Sequence, residues 1–377
     1  MTFDAIFIPS DLAAAVSDEA WLEAMLEAER ALANAEVKAG VISADCAEAI
    51  SAACRPELFD IADLARKGHA TGNPVEPLVR ALRDAVGGHA ADYVHYGATS
   101  QDVLDTAATL VTQHALALVD REVVGVAAGC ARLADEHRET VMPARTLMQQ
   151  AVPTTFGLKA SGWLITVCEA RSGIARQRLR SQLGGAAGTL SALGDKGPEV
   201  AGLFAAELGL LEPVVPWQSR RTRVAELGSA LAIAASTFAK IGLDIAMLEQ
   251  TEVGELSEPT GVGGSSTMPQ KRNPVGSTLA NASARHVRAS SVILTEGIVG
   301  AHERSIGSWQ AEWGALSTAL AHTGGAAAAM NEVLKDVIVH ADQMRANLEL
   351  TGGAVMSERL SFLIAERSDR PTARKLI

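Results

Sequence analysis

Gly263-Gly264-Ser265-Ser266-Thr267-Met268-Pro269-Gln270-Lys271-Arg272-Asn273-Pro274 concentrates more chemistry than any other stretch of this chain. Two glycines open it, and glycine reaches backbone conformations closed to other residues. Two hydroxyls follow, then a Lys-Arg pair, an amide and a terminating proline. Long apolar segments rich in alanine and leucine flank it, so it reads as a loop carried on a helical scaffold. Hydroxyl, fixed positive charge and amide together suit an anionic substrate that gains or loses a proton. The same residue types also make an ordinary polar connection between helices.

Working outward, segments 103–136, 154–184, 222–252, 275–300 and 312–346 are long and periodic, with apolar residues at i, i+3, i+4 and i+7. Helices of this length predict an elongated bundle. No strand pattern interrupts them. Several are apolar on more than one face, as over Ala225–Ala235. Such a helix must be covered on all sides, which points to a self-associating bundle. Upstream, Ser17-Asp18-Glu19-Ala20 reads as a helix start, Gly40 as its stop, and Ser43-Ala44-Asp45 as the next start.

Four loops carry further polar residues. Gly68-His69-Ala70-Thr71-Gly72-Asn73-Pro74 is too rich in Gly, Thr and Asn for a helix. Val94-His95-Tyr96-Gly97-Ala98-Thr99-Ser100-Gln101-Asp102 offers an imidazole, two hydroxyls and an amide. Thr99 or Ser100 would cap the helix that Asp102 begins, and that helix N-terminus would accept a carboxylate. Met142 to Thr154 reads as a loop around Arg145 and Gln149. Gly184–Thr189 lacks a preceding strand and a following Lys, so it reads as a tight turn rather than a phosphate cradle. Arg370–Lys375 reads as a frayed tail.

The composition narrows the classes. A formal net charge of −11 argues against a nucleic-acid binder. It does not argue against an anionic substrate, since a site needs only a few local cations. Only 4% of residues are aromatic, so the core is built from Ala, Leu, Val and Ile. Cys46, Cys54, Cys130 and Cys168 form no CxxC pair, which fits free thiols in a reducing cytoplasm and no metal site. The N-terminus has no signal-peptide pattern, and polar residues interrupt the apolar runs, so no membrane span is expected.

Three motifs together resemble the fumarase/aspartase superfamily. GSSTMPQKRNP is similar to its signature GSSxMPxKxNP; YVHYGATSQDVLDTA and RTLMQQAVPTTFG are similar to its first and second regions. Within it, HYGATSQDVLDTA, LGGAAGTLSALG and PWQSRRTRVAELGSALA are most similar to bacterial 3-carboxy-cis,cis-muconate cycloisomerases. The resemblance implies an all-α, three-domain fold with a central long five-helix bundle. The boundaries expected here are 1–101, 102–345 and a truncated C-terminal domain over 346–377. It also implies a homotetramer whose active sites are shared between subunits. By the same resemblance Ser265 is the proton-transfer residue, and Lys271 and Asn273 bind the activating carboxylate. Thr99, Ser100, Gln149 and Asn73 are further substrate-binding candidates. His95 either orients a carboxylate or is a structural imidazole; Arg304 is either a clamp or a surface ion-pair partner. No metal or organic cofactor is expected.

Two departures from the family pattern carry the functional reading. Many members have a His in the second region, partnered by a Glu after the serine loop. Here those positions hold Leu147 and Thr278. An amine or hydroxide leaving group needs a general acid, whereas a carboxylate is stable as an anion near neutral pH. The expected activity is therefore lactone formation from a 3-substituted muconate bearing a carboxylate or sulfonate, in aromatic-acid catabolism. An adenylosuccinate lyase-type enzyme and a non-catalytic helical relative are the alternatives.

Overall fold

The computed structural model describes residues 3–259, 263–264 and 267–377. The chain is all-α, as the periodicity predicts. It begins with α1 (Ser10–Ala15), α2 (Asp18–Lys38), α3 (Ala44–Ala53), α4 (Ile61–Gly68) and α5 (Val75–Val86). The long α6 (Ser100–Glu136) follows, then β1 (Val141–Thr146), β2 (Gln149–Thr155), α7 (Phe156–Ala175) and α8 (Gly197–Glu207). Next come α9 (Thr222–Leu248), β3 (Leu256–Ser257), α10 (Val275–Glu296), α11 (Ser308–Asp336) and β4 (Ile338–Val339). The chain closes with α12 (Ala341–Glu349), α13 (Ser357–Ala365) and α14 (Arg370–Leu376). Two compact units each take three separate segments. One holds 1–120, 172–233 and 285–325; the other holds 121–171, 234–284 and 326–377.

In the first unit, α2 starts where the sequence places it: the Ser17 hydroxyl accepts from the Ala20 amide at 3.3 Å. Its inner face is Leu22, Leu26, Ala28, Leu32 and Ala35, and it packs on α3 and α8. Two acids, Glu29 and Glu36, also lie buried on this helix.

The start of α6 is pinned by Asp102, 1% exposed. Its carboxylate accepts five hydrogen bonds: from the amides of Thr99 (3.1 Å), Gly184 (3.1 Å) and Gly185 (2.8 Å), and from Gln182 and Gln218 Nε2 (both 3.1 Å). Thr99 and Asp102 make half of a capping box: the Asp102 side chain takes the Thr99 amide, while the Asp102 amide bonds the Thr99 carbonyl at 2.9 Å in place of its hydroxyl. The Gly184–Thr189 stretch is a turn packed on this helix start. Gly185 has φ +69°, and a Cβ there would meet the Gly97 carbonyl at 3.0 Å, so glycine is required.

One turn further along α6, Asp105 pairs with Arg221 through two contacts of 2.7 and 2.9 Å. Arg221 also bonds Glu312 and lies 4.9 Å over the Trp217 ring; Trp309 Nε1 donates to Asp105 at 3.0 Å. Burial disfavours charge on Arg221, but Asp105 and Glu312 outweigh it and hold the guanidinium protonated.

The second unit corrects two sequence expectations. The stretch from Met142 to Thr154, read as a loop, forms an antiparallel hairpin of β1 and β2. Its two turn residues, Leu147 and Met148, have φ of +49° and +67°, where Asn-Gly is the usual pair. Local sequence does not favour this turn; distant contacts hold it. Arg145 makes a bidentate pair with the buried Glu255 (2.8 and 2.6 Å), and Gln150 donates to the Asn347 carbonyl at 2.9 Å. Asn347 in turn donates to Glu255 at 2.8 Å, which ties α12 to the hairpin. The second correction is the expected frayed tail over 370–375, which forms α14 because Asp369 caps it through the Thr372 amide at 2.7 Å.

In the same unit, Trp163 on α7 donates to Asp244 on α9 at 2.7 Å, and Asn281 on α10 donates to the Ala239 carbonyl at 3.1 Å. By length and composition α9 would pass for a membrane span, which the expectation of none did not anticipate. Half of its most apolar window is buried inside the protein, as in a core helix. Cys46, Cys54 and Cys130 are buried and Cys168 is exposed, all as free thiols.

Two stability tests follow from these buried acids. Asp102→Ala leaves five donors without their acceptor, an expected loss of about 3–5 kcal/mol in denaturant unfolding. Asp102→Asn, which keeps one acceptor oxygen, should cost less; a loss for Asp102→Ala below about 1 kcal/mol would contradict the hub. Neither oxygen of Glu36 has a hydrogen-bond partner among the described residues. Burial first, then Glu29, pushes it from 4.5 up to about 9. Between those values the folded chain holds a proton that the unfolded chain has released, so stability falls as pH rises through this window. Between about pH 6 and 8 the wild type should lose on the order of 2 kcal/mol relative to Glu36→Gln. Parallel stability profiles for the two proteins would contradict this.

Candidate active site

The first unit assembles one group of candidate residues around the capping box. Arg83 on α5 donates to the Val94 carbonyl at 3.2 Å, and Val94 is fully buried, so the loop 94–99 is fixed at its root. His95 follows with φ +63°, a region that non-glycine residues rarely occupy. Its Nδ1 lies 2.6 Å from Glu29 Oε1 on α2. A carboxylate only accepts, so Nδ1 carries the proton. Burial opposes charge on the ring; the Glu29 carboxylate, by charge and hydrogen bond, outweighs it and raises His95 above its usual range.

Thr99 points its hydroxyl elsewhere than into the cap. Its Oγ1 accepts from Arg304 Nη2 at 3.1 Å, and the same nitrogen donates to the Ala186 carbonyl at 3.0 Å. Arg304 is exposed, and among the described residues no carboxylate pairs with it. The positive charge is therefore held by neutral acceptors only, at the N-terminal end of α6. Ser100, half-buried, is the first residue of that helix. Burial pushes Asp102, directly below, up to about 6, against the pull of its donors on Gly185, Gln182, Gly184 and Thr99. At neutral pH it is ionised and remains an acceptor.

The second unit carries the glycine-serine loop. Ser265 and Ser266 lie outside the described residues. The loop's ends are tied together: the buried Glu258 accepts from the amides of Gly276 (2.9 Å) and Ser277 (2.8 Å), capping α10. Asn273 closes the base, donating to the Gly263 carbonyl through its amide (3.0 Å) and its Nδ2 (2.9 Å). Gly263 has φ +78°, and a Cβ there would lie 2.1 Å from the Asn273 carbonyl, so no larger residue fits. Asn273 thus holds the loop shape. Lys271 is exposed, with no carboxylate partner among the described residues. Gln149 is exposed on the hairpin beside the Leu147–Met148 turn.

Asn73 stands apart from these groups. Its Oδ1 accepts from the amides of Val75 (3.0 Å) and Glu76 (3.2 Å) and starts α5. It also lines a cavity of about 700 Å³ with Trp21, Met25, His69 and Trp313. A second cavity, of about 330 Å³, is lined by Asp105, Arg180, Trp217, Arg221 and Arg223. Neither cavity includes Thr99, Ser100 or Arg304. Among the described residues no group of three His, Cys, Asp or Glu could hold a metal ion.

Several organising residues were absent from the sequence-based site: Glu29, Asp102, Gln182, Gln218 and Glu258. Two had a signal. Asp102 stands three residues after Thr99, the capping-box spacing. Glu29 falls four residues after Met25 on the apolar face of α2, where a charged residue is out of pattern.

The family described as "Lyase" matches residues 10–289. The chain is 44% identical over 379 residues to a nitrosuccinate lyase of Streptomyces davaonensis, covering 97% of this chain and 80% of that protein. It is likewise 44% identical over 372 residues to a 3-carboxy-cis,cis-muconate cycloisomerase of Bradyrhizobium diazoefficiens, covering 97% of this chain and 82% of that protein. The crystal structure of the 3-carboxy-cis,cis-muconate lactonizing enzyme from Pseudomonas putida superposes with a TM-score of 0.94 at 39% identity, covering 99% of this chain and 85% of that one. The chain belongs to this lyase family, the fumarase/aspartase superfamily.

Proposed function

We propose that this protein is a cycloisomerase that lactonises 3-carboxy-cis,cis-muconate or a close analogue such as a 3-sulfomuconate. The observation that carries the reading is a selective loss. The signature residues Ser265, Lys271 and Asn273 are retained, while the positions of the family's acid–base pair are chemically inert. Leu147 sits 97% exposed at the hairpin turn, and the Thr278 hydroxyl donates to its own helix, to the Pro274 carbonyl at 2.7 Å. Neither side chain moves a proton at neutral pH.

In the proposed reaction one substrate carboxylate oxygen bonds to a double-bond carbon and closes a five-membered ring. The displaced electron pair passes to the carbon alpha to the far carboxylate. Ser265 gives its proton to that carbon and regains one from solvent. Lys271 and Asn273 stabilise the charge that builds on the far carboxylate. Arg304, Thr99, Ser100, Gln149 and His95 orient the remaining anionic groups. In reverse the leaving group is a carboxylate, which needs no general acid.

A second reading shares this logic. One relative of equal identity is named for nitrosuccinate, whose cleavage would release another weakly basic anion. An adenylosuccinate-type reaction fits less well, because its amine leaving group calls for the missing acid. Exposed apolar side chains along α7 (Leu158, Ile165), α9 (Ile233, Leu243) and α10 (Val292, Ile293) support self-association, here proposed as a homotetramer.

The test is a panel of 3-substituted muconates, nitrosuccinate and adenylosuccinate, read by ultraviolet absorbance, nitrite release and product NMR. Loss of muconate absorbance with a lactone product is expected, and Ser265→Ala should lower kcat by about 10² to 10⁴-fold. Nitrite release without lactone selects the second reading. Normal turnover by Ser265→Ala removes the role given to that serine.

A further inference from the structure

Glu29 is 1% exposed on the inner face of α2, where its helix neighbours are apolar. A buried carboxylate is costly unless charge and hydrogen bonds compensate it. Among the described residues its Oε2 has no partner, and Oε1 takes one, the Nδ1–H of His95 at 2.6 Å. The other side of that contact is also maintained against a cost. His95 holds φ +63°, so backbone strain is accepted where the ring reaches Glu29. Four residues later on the same loop stands Thr99, bonded to the unpaired Arg304.

We propose that Glu29 is a positioning residue that keeps His95 doubly protonated, so that the ring presents Nε2–H to a substrate carboxylate alongside Thr99 and Arg304. The inference deepens the polycarboxylate reading above and rests on it. The chemistry turns on one proton. With Nδ1–H committed to Glu29, a neutral ring would present the Nε2 lone pair, which repels a carboxylate. A cationic ring presents a donor and a charge, and charge-assisted hydrogen bonds are the stronger class. His95 keeps 13% of its side-chain surface exposed, so the ring is held but not sealed in.

The charges facing the ring favour this state. Glu29 on α2 and Asp102 on α6 raise His95; Arg83 on α5 and burial itself oppose them. Glu36, two turns beyond Glu29 on α2, holds its proton to about 9 and adds no charge at neutral pH. Glu29 therefore supplies the largest single contribution in favour of the cation.

The test uses the full chain with ¹⁵N-labelled histidine and tricarballylate as a non-reacting tricarboxylate probe. Long-range ¹H–¹⁵N spectra follow both ring nitrogens of His95 through a pH titration. In Glu29→Gln the His95 midpoint should fall by about one pH unit or more, and the Kd for tricarballylate at about pH 7 should rise about tenfold. With an active substrate, KM should rise while kcat changes less than about threefold, and the acid limb of kcat/KM should shift with the midpoint. His95→Asn should weaken tricarballylate by a similar factor, and adding Glu29→Gln to it should have no further effect. If Glu29→Gln does not fold, the spectra and affinity of wild type against His95→Asn carry the test. An unmoved midpoint, a wild-type ring already neutral at about pH 7, or an additive double variant overturns the inference. Spectra and binding need no turnover. A chain that binds tricarballylate through His95 yet leaves every muconate untouched refutes the cycloisomerase reading and supports this one.

Discussion

The carboxylate of Asp102 is the point on which the first unit's site depends. Its five donors come from three places: the capping-box residue Thr99, the 182–185 segment, and Gln218 just before α9. The last two places lie 80 to 116 residues from Asp102 in sequence. Separately, each donor is a buried polar group in need of an acceptor. Together they share one acid, so loop 94–99, the glycine turn and the approach to α9 must adopt one arrangement. Thr99 spends its amide on Asp102 and is left with a free hydroxyl to meet Arg304. The helix cap and the candidate anion site are thus made from the same residue.

Charge is distributed with a consistent logic. Arg221, buried with Asp105 and Glu312, is fully neutralised and serves the core. Arg304, on a short segment before α11, has only neutral acceptors among the described residues. The two arginines have the same side chain and opposite availability. Desolvation explains the division: a buried guanidinium without acids would be prohibitively costly, while an exposed one can keep its charge for a ligand. The same contrast holds among the acids. Glu255 and Glu258 are buried but bonded by Arg145, Asn347 and the α10 amides; Glu36 has no partner among the described residues and is neutral instead.

How much of this was legible in the sequence follows from how local each cause is. The five long helices, and the caps at Ser17 and Ser43, depend on residues within a turn or two of one another, so periodicity and hydroxyls suffice to find them. The signature loop was legible as chemistry because its residue types are unusual in a row. The β1–β2 hairpin was not, since its strands contain Pro143 and Pro153 and its turn is Leu147-Met148 in place of Asn-Gly. What holds that hairpin is Glu255, 110 residues away from Arg145. Asn73 and Asn273 show a different difficulty. Both were singled out as ligands from residue type and alignment, and each also holds loop architecture through its amide, Asn273 with one bond from Nδ2 to the Gly263 carbonyl. An amide reads the same in a sequence whether it meets substrate or its own backbone.

The absent acid–base pair and the present Glu29–His95 contact are two sides of one chemical requirement. A family enzyme that expels a basic leaving group needs an imidazole that gives up a proton, so that imidazole must sit near its own titration midpoint. A site that only has to bind and balance negative charge needs the reverse: an imidazole that keeps its proton. At the positions of the family's pair, Leu147 and Thr278 cannot supply the first kind. Glu29 supplies the second, because a carboxylate sealed in the protein core attracts the ring's proton more strongly than one exposed to water. The loss of one His–Glu pair and the burial of another therefore push in the same direction. Both favour chemistry in which carbon receives the proton and the anion departs or attacks unaided.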